Sequence, residues 1–175
     1  TFPQIKKNKL KIIHISNFGN RLFNRLYFIS IARKISNGLI RLGHDVVNIS
    51  DRDTIRFNRN ITAKSGIKYL NNLFIETVKN YSPDLIILGH SDNLSAKTFD
   101  TIKNFKQDLK IIQWFEDNLH KSGPDPILNQ KRLLNYDSFI DHNFITTHPS
   151  VLDFIKNKNN YSYLPIPVDE NIERL

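Results

Sequence analysis

The sequence predicts an α/β fold built on a doubly wound parallel sheet, and three observations predict it. Short apolar runs recur along the 175 residues: LKIIHI, DVVNI, DLIILG, KIIQWF, NFIT and YSYL. The runs are nearly continuous in apolar character rather than strictly alternating, as strands covered on both faces require. Longer amphipathic stretches separate them, so strand and helix alternate along the chain.

The first run, LKIIHI, reads as a buried strand with His14 as a core histidine. Phe28, Ile31, Ala32, Ile35, Leu39 and Leu42 follow at helical spacing, and Gly43 stands where a left-handed cap ends a helix. DVVNI then completes a βαβ unit. Ile67, Leu70, Phe74, Val78 and Tyr81 repeat the helical stripe before DLIILG, with Pro83 as the break between them. Leu94, Ile102 and Phe105 give a weaker stripe before KIIQWF, and Val151, Leu152 and Ile155 a short one after NFIT. The sixth strand, YSYL, runs into LPIPVDE. Pro165 and Pro167 cannot donate to a strand ladder and hold the preceding residues extended, so they predict a stiff connector directed outward from residue 165.

The length fits one domain with a full core. There are no cysteines, which excludes disulfides and thiolate metal sites and agrees with a reducing, cytoplasmic setting. No apolar run approaches the ~20 residues of a membrane span, and TFPQIKKNKLKIIHIS lacks the pattern of a secretory leader. The 25 Lys and Arg against 17 Asp and Glu give a net charge of +8. Such a charge suits an anionic partner, and equally a solvated surface skewed by AT-rich coding toward Lys, Asn and Ile. No aromatic-plus-basic signature of an RNA-recognition sheet is present, so no nucleic-acid partner is expected. Arg21, Arg25, Arg33 and Lys34, with Arg52, Arg56 and Arg59 in a loop after the second strand, form a basic cluster suited to an anionic membrane surface.

In an open parallel sheet the chemistry lies beyond the carboxyl ends of the strands. The tips are SNFGNR, SDRD, GHSDN, EDNLH and TTHPS. SNFGNR has one glycine where a dinucleotide fingerprint needs three, and no Walker lysine follows, so no bound cofactor is expected. Asp51 after the second strand suits either a ribose contact or a turn or cap. A phosphoacceptor receiver would need acids where Ser16, Asn17 and Gly89 stand. EDNLH is the most informative tip, because Glu116 and Asp117 follow directly on a buried strand with His120 close behind. Burial and a like-charged neighbour raise a carboxylate toward the range of a general base. The alternative reading has both acids capping the next helix or standing in solvent. His90 is either an acceptor contact or a hydrogen-bonded tip residue, and the remaining histidines show no metal-ligand spacing.

The segments GLIRLGHDVVNIS, YSPDLIILGHSD, IIQWFEDN and FITTHPSVLDFIKNKNNYSYLPIPVD, in that order, resemble the N-terminal domain of GT-B glycosyltransferases. The likeness is nearest to the glycosyltransferase-like group first described among spore-coat proteins. Gly43, His44, Val46, Pro83, Asp84, Pro165, Val168 and Asp169 carry it.

The resemblance implies a Rossmann-like acceptor domain over residues 1–164 and a linker over 165–175 leading to a second, donor-binding domain. It implies transfer of a sugar from a nucleotide-sugar substrate to an acceptor, with no metal. In an inverting enzyme Asp117, then Glu116, then His90 are the candidates for the base; a retaining one needs none. Asn17, Gly19, Asn20, Arg21, Ser91, Asp92 and His148 are the candidate acceptor contacts. Two other functions fit the same sequence: a non-catalytic ligand- or nucleotide-binding module, and a basic domain on an anionic membrane or polymer.

Overall fold

The computed structural model describes residues 9–20 and 30–173. Its sheet has six parallel strands: β1 (Lys11–Ser16), β2 (Asp45–Ser50), β3 (Leu85–Leu88), β4 (Lys110–Phe115), β5 (His142–Ile145) and β6 (Tyr161–Tyr163). Their order is β2-β1-β3-β4-β5-β6. The six strands and the doubly wound α/β class are those the apolar runs predict. Order reverses between β1 and β3, and the two neighbouring crossovers therefore leave a crevice at their carboxyl ends.

Helix α1 (Ile31–Arg41) joins β1 to β2, with the Ser30 hydroxyl accepting from the Arg33 amide as its cap and Gly43 following at φ +91°. It covers one face. Helices α3 (Ala63–Tyr81), α4 (Ala96–Phe105) and α5 (Pro126–Leu134) belong to the other, where Ile13, Ile15, Leu70, Phe74, Val78, Leu88, Phe99 and Ile111 form the main core. A second cluster, Phe115, Leu119, Leu133, Ile145, Leu152 and Ile155, closes the β5 side.

Three expectations need correction. The stretch after β2 is helical, not a loop: α2 (Asp51–Asn58) starts at once, and Asp53 accepts from the hydroxyl of the Ser50 cap at 2.5 Å. The α1 stripe is only partly the buried face: Ala32 is buried and Ile31, Ile35 and Leu39 are half-buried, but Lys34 and Ser36 are buried outside the stripe and Leu42 is 49 % exposed. The connector does not run outward. After an exposed stretch that includes Ile166 and Val168, it folds back onto α1, where the fully buried Asp169 carboxylate accepts from Asn37 at 2.9 Å and pairs with Arg41 at 3.2 Å. Glu173 pairs with Lys34 and accepts the Asp169 amide at 2.9 Å, which is why a lysine is buried on α1. The Asn37 bond, with help from the Asn171 amide and Arg41, holds the Asp169 carboxyl below its usual range. Arg21, Arg25 and Phe28 lie outside the described residues.

Polar groups also seam β1 to α1. His14 is fully buried and its Nδ1 lies 2.8 Å from Ser36 Oγ, which itself donates to Asn48 Oδ1 at 2.8 Å. His14 Nδ1 must therefore carry the proton and Nε2 is bare.

Helices α2 and α3 touch backbone to backbone: a Cβ added at Gly66 would sit 2.2 Å from the Ile55 carbonyl oxygen. Gly66→Ala is expected to destabilise by about 1–3 kcal/mol through overpacking. Gly38→Ala, with nothing within 4 Å of the added methyl, is expected to be neutral or to stabilise. The helical gain there is at most ~1 kcal/mol. Thermal melts of the two variants check both signs.

Candidate active site at the carboxyl edge of the sheet

The crevice between β1 and β3 depends on a missing side chain. A Cβ at Gly89 would fall 2.3 Å from Ser16 Oγ, so only glycine lets the end of β3 lie against the end of β1. The Gly89 amide donates to the Ile15 carbonyl at 2.8 Å and the His90 amide to Ser16 Oγ at 3.1 Å. That fixes where the His90 ring goes.

The ring packs edge-on against Phe115, with centroids 6.1 Å apart. It lies between the two acids of the β4 tip: Nδ1 is 3.7 Å from Glu116 Oε1 and Nε2 is 3.4 Å from Asp117 Oδ2. Neither contact has hydrogen-bond geometry, and both His90 Nε2 and Glu116 Oε2 are buried without a hydrogen-bond partner. Burial, then the charge of Asp117, pushes the Glu116 carboxyl up. Burial pulls the His90 imidazole down, against the opposing pull of Asp92 and Asp117. A carboxyl raised and an imidazole lowered are brought closer in proton affinity, which suits proton exchange between them.

Arginines hold the rim. Arg132 NH2 donates to Asp92 Oδ2 at 2.7 Å, and its NH1 lies 3.5 Å from Asp117 Oδ2. Arg52 reaches the same Asp92 oxygen at 3.3 Å. Pro126 starts the helix that carries Arg132, a signal for a helix start that sequence reasoning passed over. Arg132 is thus the residue of this cluster that the sequence reading missed.

The remaining candidates divide. His148 and Glu116 line one open groove of about 700 Å³, together with Thr146, Thr147, Tyr163 and Ile166. Thr146 Oγ1 donates to the Glu116 carbonyl at 2.8 Å, which ties the β4 and β5 tips together. Ser91 is buried, its hydroxyl donating to the Gly89 carbonyl at 3.3 Å. Gly19 takes φ +67°, and the first tip is bonded to the second: the Phe18 amide donates to Ser50 Oγ at 3.2 Å and the Asn20 amide to Asp53 Oδ2 at 2.8 Å. Asn17 is half-buried beside them. Arg21 lies outside the described residues. Neither Glu116 nor Asp117 caps a helix, since α5 begins at Pro126 with Asp125 at its cap position. Asp51 is fully buried at the start of α2, its Oδ2 accepting from Asn93 at 3.4 Å, and burial pushes it up to about 6.

Among the described residues no group of three or more His, Asp or Glu side chains is arranged to hold a metal ion, and no helix is long and apolar enough to cross a membrane.

No protein-family model and no curated protein matches the chain. Solved structures do. An alpha-glucosyltransferase in complex with UDP and a 13-mer DNA containing a central A:G mismatch is similar at 14 % identity and TM-score 0.55, over 92 % of this chain and 42 % of that one. A second, with UDP and a 13-mer DNA containing an HMU base, aligns at 14 % identity and TM-score 0.56 over 93 % and 44 %. A third, with UDP alone, aligns at 12 % identity and TM-score 0.54 over 92 % and 45 %. The chain spans less than half the length of each. The likeness shows the fold alone: a Rossmann-like α/β domain, as in these glucosyltransferases. It lends nothing to the narrower spore-coat likeness.

Two buried groups give opposite pH slopes. Burial lowers His14 to about 4 from 6.5, so between those pH values the unfolded chain binds the extra proton and stability rises with pH. Asp51 is raised to about 6 from 3.8, so the folded chain holds the extra proton and stability falls as pH rises through that window. Each contribution is about 3 kcal/mol. Relative to the unsubstituted chain, Asp51→Asn is expected to gain stability from pH 4 to 6.5 and His14→Gln to lose it; urea melts across that range read both.

Proposed function

We propose that this chain is the acceptor-side domain of a glycosyltransferase that moves a sugar from a nucleotide-sugar donor to an acceptor hydroxyl. A second domain beyond residues 165–175 would supply most of the donor contacts. One observation carries the reading: on a GT-B-like fold, His90 after β3 stands between Glu116 and Asp117 after β4, and Glu116 also lines an open groove at the carboxyl edge.

The groove would take the acceptor. Transfer needs the hydroxyl proton removed as the new bond forms, by a group within hydrogen-bond reach. Glu116 suits that role better than Asp117, the first candidate from sequence. It lines the groove, its Oε2 is unpartnered and its carboxyl is raised, while Arg132 occupies Asp117. Asp117 and Arg132 then orient His90 and Asp92. Thr146, Thr147 and His148 would meet the hydroxyls of the acceptor, and the rings of His148 and Tyr163, with centroids 5.9 Å apart, would form its apolar wall.

A nucleic-acid acceptor is the second reading, against the expectation from sequence. Two of the similar structures hold DNA, and the net charge of +8 would favour a polyanion.

The test is transfer by a polypeptide that contains this chain and its donor domain. Glu116→Gln is expected to lower turnover by about two to four orders of magnitude with the melting temperature nearly kept. Asp117→Asn should cost less. Full turnover by Glu116→Gln would move the base to Asp117 or His90, or leave a retaining mechanism that needs none. In calorimetry the 175-residue chain alone should bind no nucleotide sugar with micromolar affinity, because transfer geometry needs both walls of the cleft. Micromolar binding would instead favour a nucleotide-binding module.

A further inference from the structure

Helices α2 and α3 form a hairpin, packed so closely that the Gly66 position faces the Ile55 carbonyl. Helix α2 leaves the carboxyl end of β2, and α3, whose last turn leads into the amino end of β3, runs back along the sheet from the carboxyl side. The apex, residues 57–64, is therefore at the same edge as the groove. It is a defined turn: the Asn60 amide donates to Ser65 Oγ at 2.9 Å, and Ser65 Oγ to the Thr62 carbonyl at 3.3 Å.

The apex exposes what a domain normally hides. Ile61 is 100 % exposed and Phe57 66 % exposed, although both are large and apolar. Arg56, Arg59, Lys64 and Lys68 surround them, all exposed. Lys64 and Lys68 continue into a groove of about 450 Å³ between α3 and α4, with Lys97 on its far wall and Ile67 and Ile75 beneath. No aspartate or glutamate lines that groove. By contrast, the two other cations of the sequence cluster that are described in pairs are neutralised internally, Lys34 by Glu173 and Arg52 by Asp92.

We infer that the α2–α3 apex is a membrane-surface contact, with Phe57 and Ile61 entering the headgroup boundary of an anionic bilayer and Arg56, Arg59, Lys64 and Lys68 meeting its phosphates. An anionic interface offers an apolar layer beneath a charged one, and this surface exposes apolar and basic side chains together. A nucleic-acid backbone matches only the charge and leaves Ile61 in water. The contact is independent of sugar transfer: it concerns a different surface, and its test reads no activity. It would set the groove facing the bilayer, so that an acceptor carried on a lipid headgroup would arrive from that side.

The test uses the 175-residue chain in vesicle co-sedimentation, with phosphatidylcholine alone and with an equal share of phosphatidylglycerol. Binding is expected only to the anionic vesicles and should weaken as salt is raised. Each of Arg56→Gln and Arg59→Gln should lower partitioning about fivefold, from roughly one kilocalorie per cation near the surface. Ile61→Ser should lower it about tenfold or more while leaving the salt dependence unchanged. Because Ile61 contacts no core, its melting temperature should stay put. In a separate variant, Ile61→Trp should shift its emission to the blue with anionic vesicles. Failure to bind anionic vesicles at low salt overturns the inference. So does a loss on removing the arginines with none on removing Ile61, or tighter binding to duplex DNA that ignores Ile61.

Discussion

Everything at the carboxyl edge depends on how closely β3 can approach β1. With no side chain at Gly89, the Ser16 hydroxyl can stand against the backbone there and receive the His90 amide. The imidazole is then delivered between two carboxylates on the next strand rather than into solvent. A methyl group at this one position would clash with Ser16 and break the bond that sets the His90 backbone. The site is therefore specified by backbone proximity first and by charge second.

The charges add up to a balanced network. Asp92 is shared by arginines from α2 and α5, so the rim is stitched from two helices that are far apart in sequence. These pairs are partly exposed and contribute little to stability, a median of roughly 0–1 kcal/mol for surface pairs. Their value is geometric, since they hold Asp92 and Asp117 at fixed distances from His90. Glu116 is left with burial and a like-charged neighbour, the two conditions that raise a carboxylate.

What the sequence made legible is what local pattern controls. Six short apolar runs marked the strands, although β2 and β6, at the edges of the sheet, are buried along only part of their length, and Gly43 marked the end of α1. The tips followed from the topology rule, so Glu116, Asp117, His90 and His148 could be named before their distances were known. Two helices escaped. In α2 the run DRDTIRFN has no broad apolar stripe, and its signal is the Ser50 to Asp53 capping spacing. In α5 the signal is Pro126 at the first turn, and with that helix went Arg132. The burial of Lys34 on α1 could not be read locally at all, because its cause, Glu173, lies 139 residues away.

The return of the chain onto α1 has a mechanical consequence. Leu164 still bonds to β5 through the Ile145 carbonyl at 2.9 Å, and Asp169 is clamped to Asn37 and Arg41, so the stretch between them is a bridge fixed at two abutments. Pro165 and Ile166 in that span are also a wall of the groove. Two prolines fix φ at two of its positions and so narrow the conformations open to the span. One short segment of backbone thus joins a wall of the groove to a helix on the far side of the sheet.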